Sequence, residues 1–196
     1  MSSENEKRAI FLDADGVLWP DIGSGGILSG KVNSIQNLGL LSQISSKRFL
    51  KIVISNQTYA ARKKMSYLKF KLFTHTFFKN LIKQDLLDDF AICYHHPKAK
   101  NYLLRKNCKC RKPFPTLINS MIIKHNIVPQ KSFLIGDRIT DIQSGAAADI
   151  KHLFLIVNPK MLEINENISN RSLQNTFIPL KELKEFLLVK ELQDED

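Results

Sequence analysis

Five short apolar runs in this chain each stop at a polar residue. Ala9-Ile10-Phe11-Leu12 stops at Asp13, Phe49 through Ile54 at Ser55-Asn56, and Phe90-Ala91-Ile92 at Cys93. Ser132-Phe133-Leu134-Ile135 stops at Gly136-Asp137, and His152 through Val157 at Asn158-Pro159. Runs this short, rich in aromatic and β-branched residues, read as strands. Helical spacing fills the gaps at about 33–46, 59–84, 115–126 and 139–148, with Pro115 near a helix start. Strands in strict alternation with helices predict an α/β fold, a parallel sheet with helices on both faces. In such sheets ligands bind outside the carboxyl ends of the strands. Asp13, Asp15, Ser55, Asn56, Asp137 and Asp141 therefore converge on one crevice.

The third strand runs into a second constellation. All three cysteines of the chain fall in the pattern Cys93-x-His95, twelve residues, then Cys108-x-Cys110. Three thiolates and an imidazole in two tight pairs suit tetrahedral zinc, and four protein ligands make the site structural rather than catalytic. The loop so built leads directly into Arg111-Lys112-Pro113, aiming two cations at an anion. His96 is the competitor to His95 for the metal; His75, His125 and His152 read as ordinary surface or half-buried residues. An odd number of cysteines excludes a complete disulfide framework, and no apolar signal-like stretch opens the chain. The expected setting is a reducing cytoplasm.

With 196 residues and 43% hydrophobic content, the chain can bury one sizeable core, so a single domain over 1–196 is expected. No apolar run approaches a membrane span. The net charge of +10 raises the question of phosphate or nucleic-acid partners. Its lysines, however, are spread along the chain (Lys69, Lys71, Lys79 and Lys83 among them, with Arg62-Lys63-Lys64) and read as a solvated face. A nucleic-acid reading would use the helix Tyr67 through Phe73, but phenylalanines at that spacing are more often core.

Carboxylates facing one another across a crevice repel unless a divalent cation neutralises them, and hard oxygen donors suit Mg²⁺. Opposite them, Lys112, Ser55 and Asn56 can hold phosphate oxygens, as phosphoryl transfer requires. One aspartate can then attack phosphorus, and the second, two residues on, can exchange a proton with the leaving oxygen and with water. A bend at Gly16 would let both Asp13 and Asp15 reach one site.

These residues carry a resemblance. Asp13-Ala14-Asp15-Gly16-Val17 resembles the first motif, D-x-D-G-[TV], of the haloacid dehalogenase-like phosphatases. Ile54-Ser55-Asn56-Gln57 resembles their second motif, Arg111-Lys112-Pro113 the third, and Gly136-Asp137 through Asp141 the fourth. The four occur in order over about 8–157, each after an expected strand, and a last strand and helix at about 176–192 fit as well. The resemblance implies a Rossmann-like haloacid dehalogenase fold. The zinc pattern is similar to that of the capless branch holding the D-glycero-D-manno-heptose 1,7-bisphosphate 7-phosphatases and the histidinol-phosphate phosphatases. The length of the insert between His95 and Cys108 looks more like the heptose enzymes.

The resemblance implies a Mg²⁺-dependent phosphoric monoester hydrolase acting on a phosphorylated sugar of lipopolysaccharide or capsule biosynthesis, with a heptose bisphosphate as first choice. Histidinol phosphate or another small phosphomonoester is the second; a nucleic-acid 3'-phosphatase or a non-catalytic zinc module is the third. It makes Asp13 the nucleophile and Asp15 the acid and base, with Asp13, Asp15 and Asp137 on Mg²⁺. Ser55 and Lys112 would hold the transferred phosphoryl group; Asn56, Arg111 and Arg138 would face phosphate or sugar; Asp141 would support the loop or Lys112. A monomer is the default for a capless domain of this size. The chain departs from the heptose pattern at Ala14, usually arginine, at Tyr59, usually glycine, and at Thr116-Leu117. Its glycine-rich stretch Trp19 through Gly26 lies where these enzymes carry a substrate-facing loop, and Trp19 reads equally as a packing residue or a ligand contact. The glycines lack the G-K-[ST] of a nucleotide-binding loop.

Overall fold

The structure is a computed structural model, which describes residues 6–19, 41–42, 48–62 and 65–156. Five strands are seen: β1 Ala9–Leu12, β2 Leu50–Asn56, β3 Asp89–Cys93, β4 Phe133–Gly136 and β5 His152–Leu155. They pair in the order β3-β2-β1-β4-β5, every pair parallel. Among the described residues four helices with both ends seen accompany them: α1 Tyr59–Arg62, α2 Tyr67–Lys83, α3 Thr116–His125 and α4 Ile139–Ala146. The Rossmann-like α/β architecture expected from the alternation is therefore present. The helix expected at about 33–46 (save residues 41 and 42, which are helical), the segment 160–175 and the closing elements at about 176–192 lie outside the described residues.

Alternation along each strand sorts the core into two layers. Ile10, Leu12, Val53, Phe133 and Ile135 pack on one face with Ala60, Phe70, Phe78 and Leu81 of α1 and α2. Ala9, Phe11, Ile52, Ile54 and Leu134 pack on the other with Ile118, Met121 and Ile142 of α3 and α4. Each fully buried side chain of β1 contributes about 1.5–3 kcal/mol of transfer free energy, so the central strand is anchored from both sides. The lysines of α2 point away from this core and are exposed.

Two differences from the sequence reading have local causes. The single helix expected at about 59–84 is two, because Ser66 adopts an extended conformation at ψ 126° and starts α2 afresh as its N-cap. β2 runs on through Ser55 and Asn56 because its ladder with β3 continues to Asn56 opposite Cys93. Lys51 is the unexpected member of β2: it is buried, and its ammonium donates to the carbonyls of Leu41 (3.2 Å) and Asp85 (2.9 Å). Among the described residues no helix is long and apolar enough to cross a membrane.

The chain leaves β1 toward β2 and β3, then returns to place β4 on the other side of β1. That reversal is the topological switch point, and the crevice of such a sheet opens there, beyond the carboxyl ends of β1 and β4.

Candidate active site

Asp13 is the first residue past β1, and its N–H donates to the Ile135 carbonyl at 2.9 Å, so the sheet pairing holds it at the switch point. It is buried. So is Lys112, whose ammonium donates to Asp13 Oδ1 at 2.7 Å and to the Ile54 carbonyl at 3.0 Å and forms an ion pair with Asp141 Oδ1 at 2.5 Å. Burial alone would lower the Lys112 pKa, but the two carboxylates outweigh it and hold the ammonium above the usual lysine range. Asp141 is pushed above the usual carboxylate range, first by burial and then by the charge of Asp13, against the pull of Lys112. Its other oxygen accepts the Arg138 N–H at 2.9 Å, tying it to the first turn of α4.

Asp15 reaches the same cleft through a tight turn. Gly16 sits at φ 89°, in the left-handed region, and its N–H donates to the Trp19 carbonyl at 2.7 Å. A Cβ at this position would overlap the Asp137 carboxylate, so the close approach of the turn to β4 also requires glycine. The Asp15 carboxylate takes a hydrogen bond on each oxygen, from Trp19 Nε1 at 2.7 Å and from Gln57 Nε2 at 2.9 Å. The same Gln57 amide donates to Ser55 Oγ at 3.0 Å. With its oxygen accepting from Gln57, the Ser55 hydroxyl has its own proton to direct into the cleft.

The Cys93–His95 and Cys108–Cys110 pairs come together at the end of β3. One ligand atom from each of the four lies within 4.8 Å of the others, and His95 Nδ1 is 3.3 Å from Cys110 Sγ. His96 is turned to Arg62, with Nε2 3.1 Å from the guanidinium. Three sulfur donors and one imidazole are a chemical fit for zinc. Two hydrogen bonds hold the segment that follows Cys110, one to the cluster and one to the sheet. Arg111 Nη1 donates to the His95 carbonyl at 3.3 Å, and the Lys112 N–H donates to Asn56 Oδ1 at 3.2 Å. Burial lowers the Arg111 pKa from its very high ordinary value, which leaves the guanidinium charged. A second group, Asp13, Asp137 and Asp141, brings three carboxylate oxygens within 4.8 Å of one another. Hard donors at this density, with Lys112 as the cation bonded among them, fit a divalent cation of the magnesium type.

A cleft of about 510 Å³ opens over these groups. Asp13, Asp15, Ser55, Asn56, Arg111, Lys112, Arg138 and Asp141 all line it, and Asp137 lies under the Gly16 turn beside them. Trp19 does not line it; the ring is 2% exposed and packs on α2. The cleft also takes in Gln57, Thr58, Arg62, Ile139 and Thr140, to which sequence reading assigned no role, although Gln57, Ile139 and Thr140 stand inside the second and fourth motifs. Four of these directly follow the polar ends of β2 and β4, and that position was the available signal. Arg62 was hidden in a basic run that read as solvated surface.

A family model described as haloacid dehalogenase-like hydrolase matches residues 101–155. Over 161 residues the chain is 33% identical to the D-glycero-beta-D-manno-heptose-1,7-bisphosphate 7-phosphatase of Helicobacter pylori, covering 79% of this chain and 87% of the relative. It is 30% identical over 184 residues to the D-glycero-alpha-D-manno-heptose-1,7-bisphosphate 7-phosphatase of Photorhabdus laumondii, covering 92% and 98%. The fold is similar to the crystal structure of D,D-heptose 1,7-bisphosphate phosphatase from B. bronchiseptica complexed with magnesium and phosphate. The TM-score is 0.66 at 19% identity, over 93% of this chain and 99% of that one.

Proposed function

Since this chain belongs to the haloacid dehalogenase-like hydrolases and is a phosphoric monoester hydrolase, we propose that it dephosphorylates a phosphorylated sugar, a heptose 1,7-bisphosphate first among them, through a phosphoaspartate on Asp13. The observation that carries the mechanism is the buried Asp13 carboxylate bonded to Lys112 beside Asp15 and Ser55 in one cleft. An Asp13 oxygen attacks phosphorus while the bond from phosphorus to the sugar oxygen breaks, and the Asp15 carboxyl gives its proton to that departing oxygen. Water then attacks phosphorus of the acyl phosphate. Asp15, now a carboxylate, takes the water proton, and Asp13 leaves as a carboxylate, so both groups end in their starting states. Lys112 and Ser55 hold the transferred oxygens throughout.

Magnesium held by the carboxylates of Asp13 and Asp137 and the carbonyl of Asp15 would offset the charge that gathers between phosphate and aspartates. The bisphosphate reading is supported by three guanidinium groups on the cleft wall, from Arg62, Arg111 and Arg138, beyond what one phosphoryl group held by Lys112 needs. Relatives named for both anomers leave the anomer to measurement.

The test is phosphate release with Mg²⁺ from both heptose 1,7-bisphosphate anomers, histidinol phosphate, a 3'-phosphorylated oligonucleotide and p-nitrophenyl phosphate. A heptose bisphosphate should give the highest kcat/KM. Preference for histidinol phosphate or the oligonucleotide would overturn the sugar assignment, and release from none would overturn the phosphatase mechanism.

Zinc in the Cys93, His95, Cys108 and Cys110 cluster is part of the same proposal. Elemental analysis of the purified protein should find about one zinc per chain, as a four-ligand structural site requires. Cys110→Ser should lose the metal and raise KM for the sugar phosphate about tenfold or more, because Arg111 is bonded to the carbonyl of a ligand residue. A zinc content unchanged by the substitution would remove Cys110 from the ligand set.

A further inference from the structure

We infer that Trp19 is a positioning residue for proton transfer, holding the Asp15 carboxylate in place through its indole N–H; this rests on the phosphatase reading above. The indole is locked on three sides. Its ring packs edge-on against Phe77 at 5.5 Å and tilted against Phe78 at 6.0 Å, both on α2. Its backbone closes the Gly16 turn, with the Trp19 carbonyl accepting from Gly16 and the Leu18 N–H donating to Ala14. At 2% exposure the indole N–H cannot turn to bulk water, and it is a donor only, so the Asp15 oxygen at 2.7 Å completes it.

Gln57 closes the arrangement from the β2 side, at 2.9 Å from the other Asp15 oxygen. Donors on both oxygens fix the plane of the carboxylate. A group that must give a proton to the sugar oxygen and later take one from water needs that orientation twice per turnover. Trp19 joins it to the hydrophobic layer under α2. A sugar-stacking role for the ring is excluded by its burial and by its absence from the cleft wall.

The test separates positioning from bulk structure by leaving group. Trp19→Phe keeps the ring packing and deletes the N–H. For a sugar phosphate, whose departing alkoxide needs the proton, kcat/KM should fall about 10- to 100-fold, the value of one hydrogen bond to a charged group. For p-nitrophenyl phosphate, whose departing phenolate needs none, it should stay within about threefold. Asp15→Asn should show the same split in larger measure, about 10²- to 10⁴-fold. If Trp19→Phe fails to fold, replacing Trp19 with 3-benzothienylalanine, which keeps the bicyclic shape and lacks the N–H, carries the same comparison. An equal fall on both substrates, or no fall on either, overturns the assignment. A wild-type chain inactive on both overturns the phosphatase reading, and the assignment with it.

Discussion

Asp13→Asn is expected to abolish phosphate release while leaving the fold intact. The amide cannot attack phosphorus, and loss of a covalent nucleophile from a site whose parts act together costs at least about 10⁴-fold in kcat. The fold survives because the substitution is isosteric and Asn Oδ1 can still accept from the Lys112 ammonium. Asp141 remains bonded to the same ammonium at 2.5 Å, so no buried cation is left without a counter-charge. Removing the Asp13 charge also relieves one of the causes that hold Asp141 above its usual range. The melting temperature should therefore stay level or rise. Phosphate release within tenfold of wild type would transfer the nucleophile role elsewhere; collapse of the circular dichroism melt would show that the Asp13 charge is structural.

Lys112→Met is expected to damage both activity and stability. It leaves Asp13 and Asp141 buried together without their shared cation, and breaking a buried pair from one side costs roughly 3–5 kcal/mol. Denaturant unfolding in metal-free buffer at neutral pH measures it. Because the folded Lys112 pKa is raised, the stability it contributes is fully present below the ordinary lysine range. It is lost only as pH climbs through the raised folded value, so wild type should show an alkaline limb that the variant lacks. On the acid side the difference should shrink as Asp141, held above the usual carboxylate range by burial, takes up a proton and no longer needs a partner. A loss of under about 1 kcal/mol at neutral pH would mean that water or a bound cation already compensates the carboxylates.

How much of this was legible depends on whether a residue's partners are close in kind to what the sequence displays. The strands were legible because each apolar run stops at a polar residue, and Asp13, Ser55, Asn56 and Asp137 sit where parallel-sheet geometry says ligands gather. The Cys and His spacing was legible for the same reason: four donors of one chemistry stand in a short stretch. Lys51 was not legible, since its partners are main-chain carbonyls of residues far off in sequence. Nor was the double duty of Gln57, which depends on β2 running two residues past its apolar portion. Trp19 was ambiguous on sequence because packing and function both favour an aromatic. The structure places its ring in the core and its nitrogen on Asp15, so the two uses coincide in one side chain.

The Asn56 tether has an evolutionary consequence. Its amide accepts from the Lys112 N–H at 3.2 Å and donates to the Lys112 carbonyl at 3.5 Å, so Lys112 takes its position from the end of β2 and not from the loop that precedes it. Between His95 and Cys108 the chain is also held mid-course, by the buried side chains of Ala99 and Leu104 and by the Lys100 N–H on the Ala61 carbonyl at 2.8 Å, while Tyr102, Leu103, Lys106 and Asn107 are exposed. Lengthening an exposed stretch by a few residues costs fractions of a kcal/mol. None of residues 96–110 lines the cleft, so insertions in those exposed stretches leave the reacting centre its coordinates. A lineage built on this arrangement can vary the length of the loop without rebuilding the hydrolytic machinery.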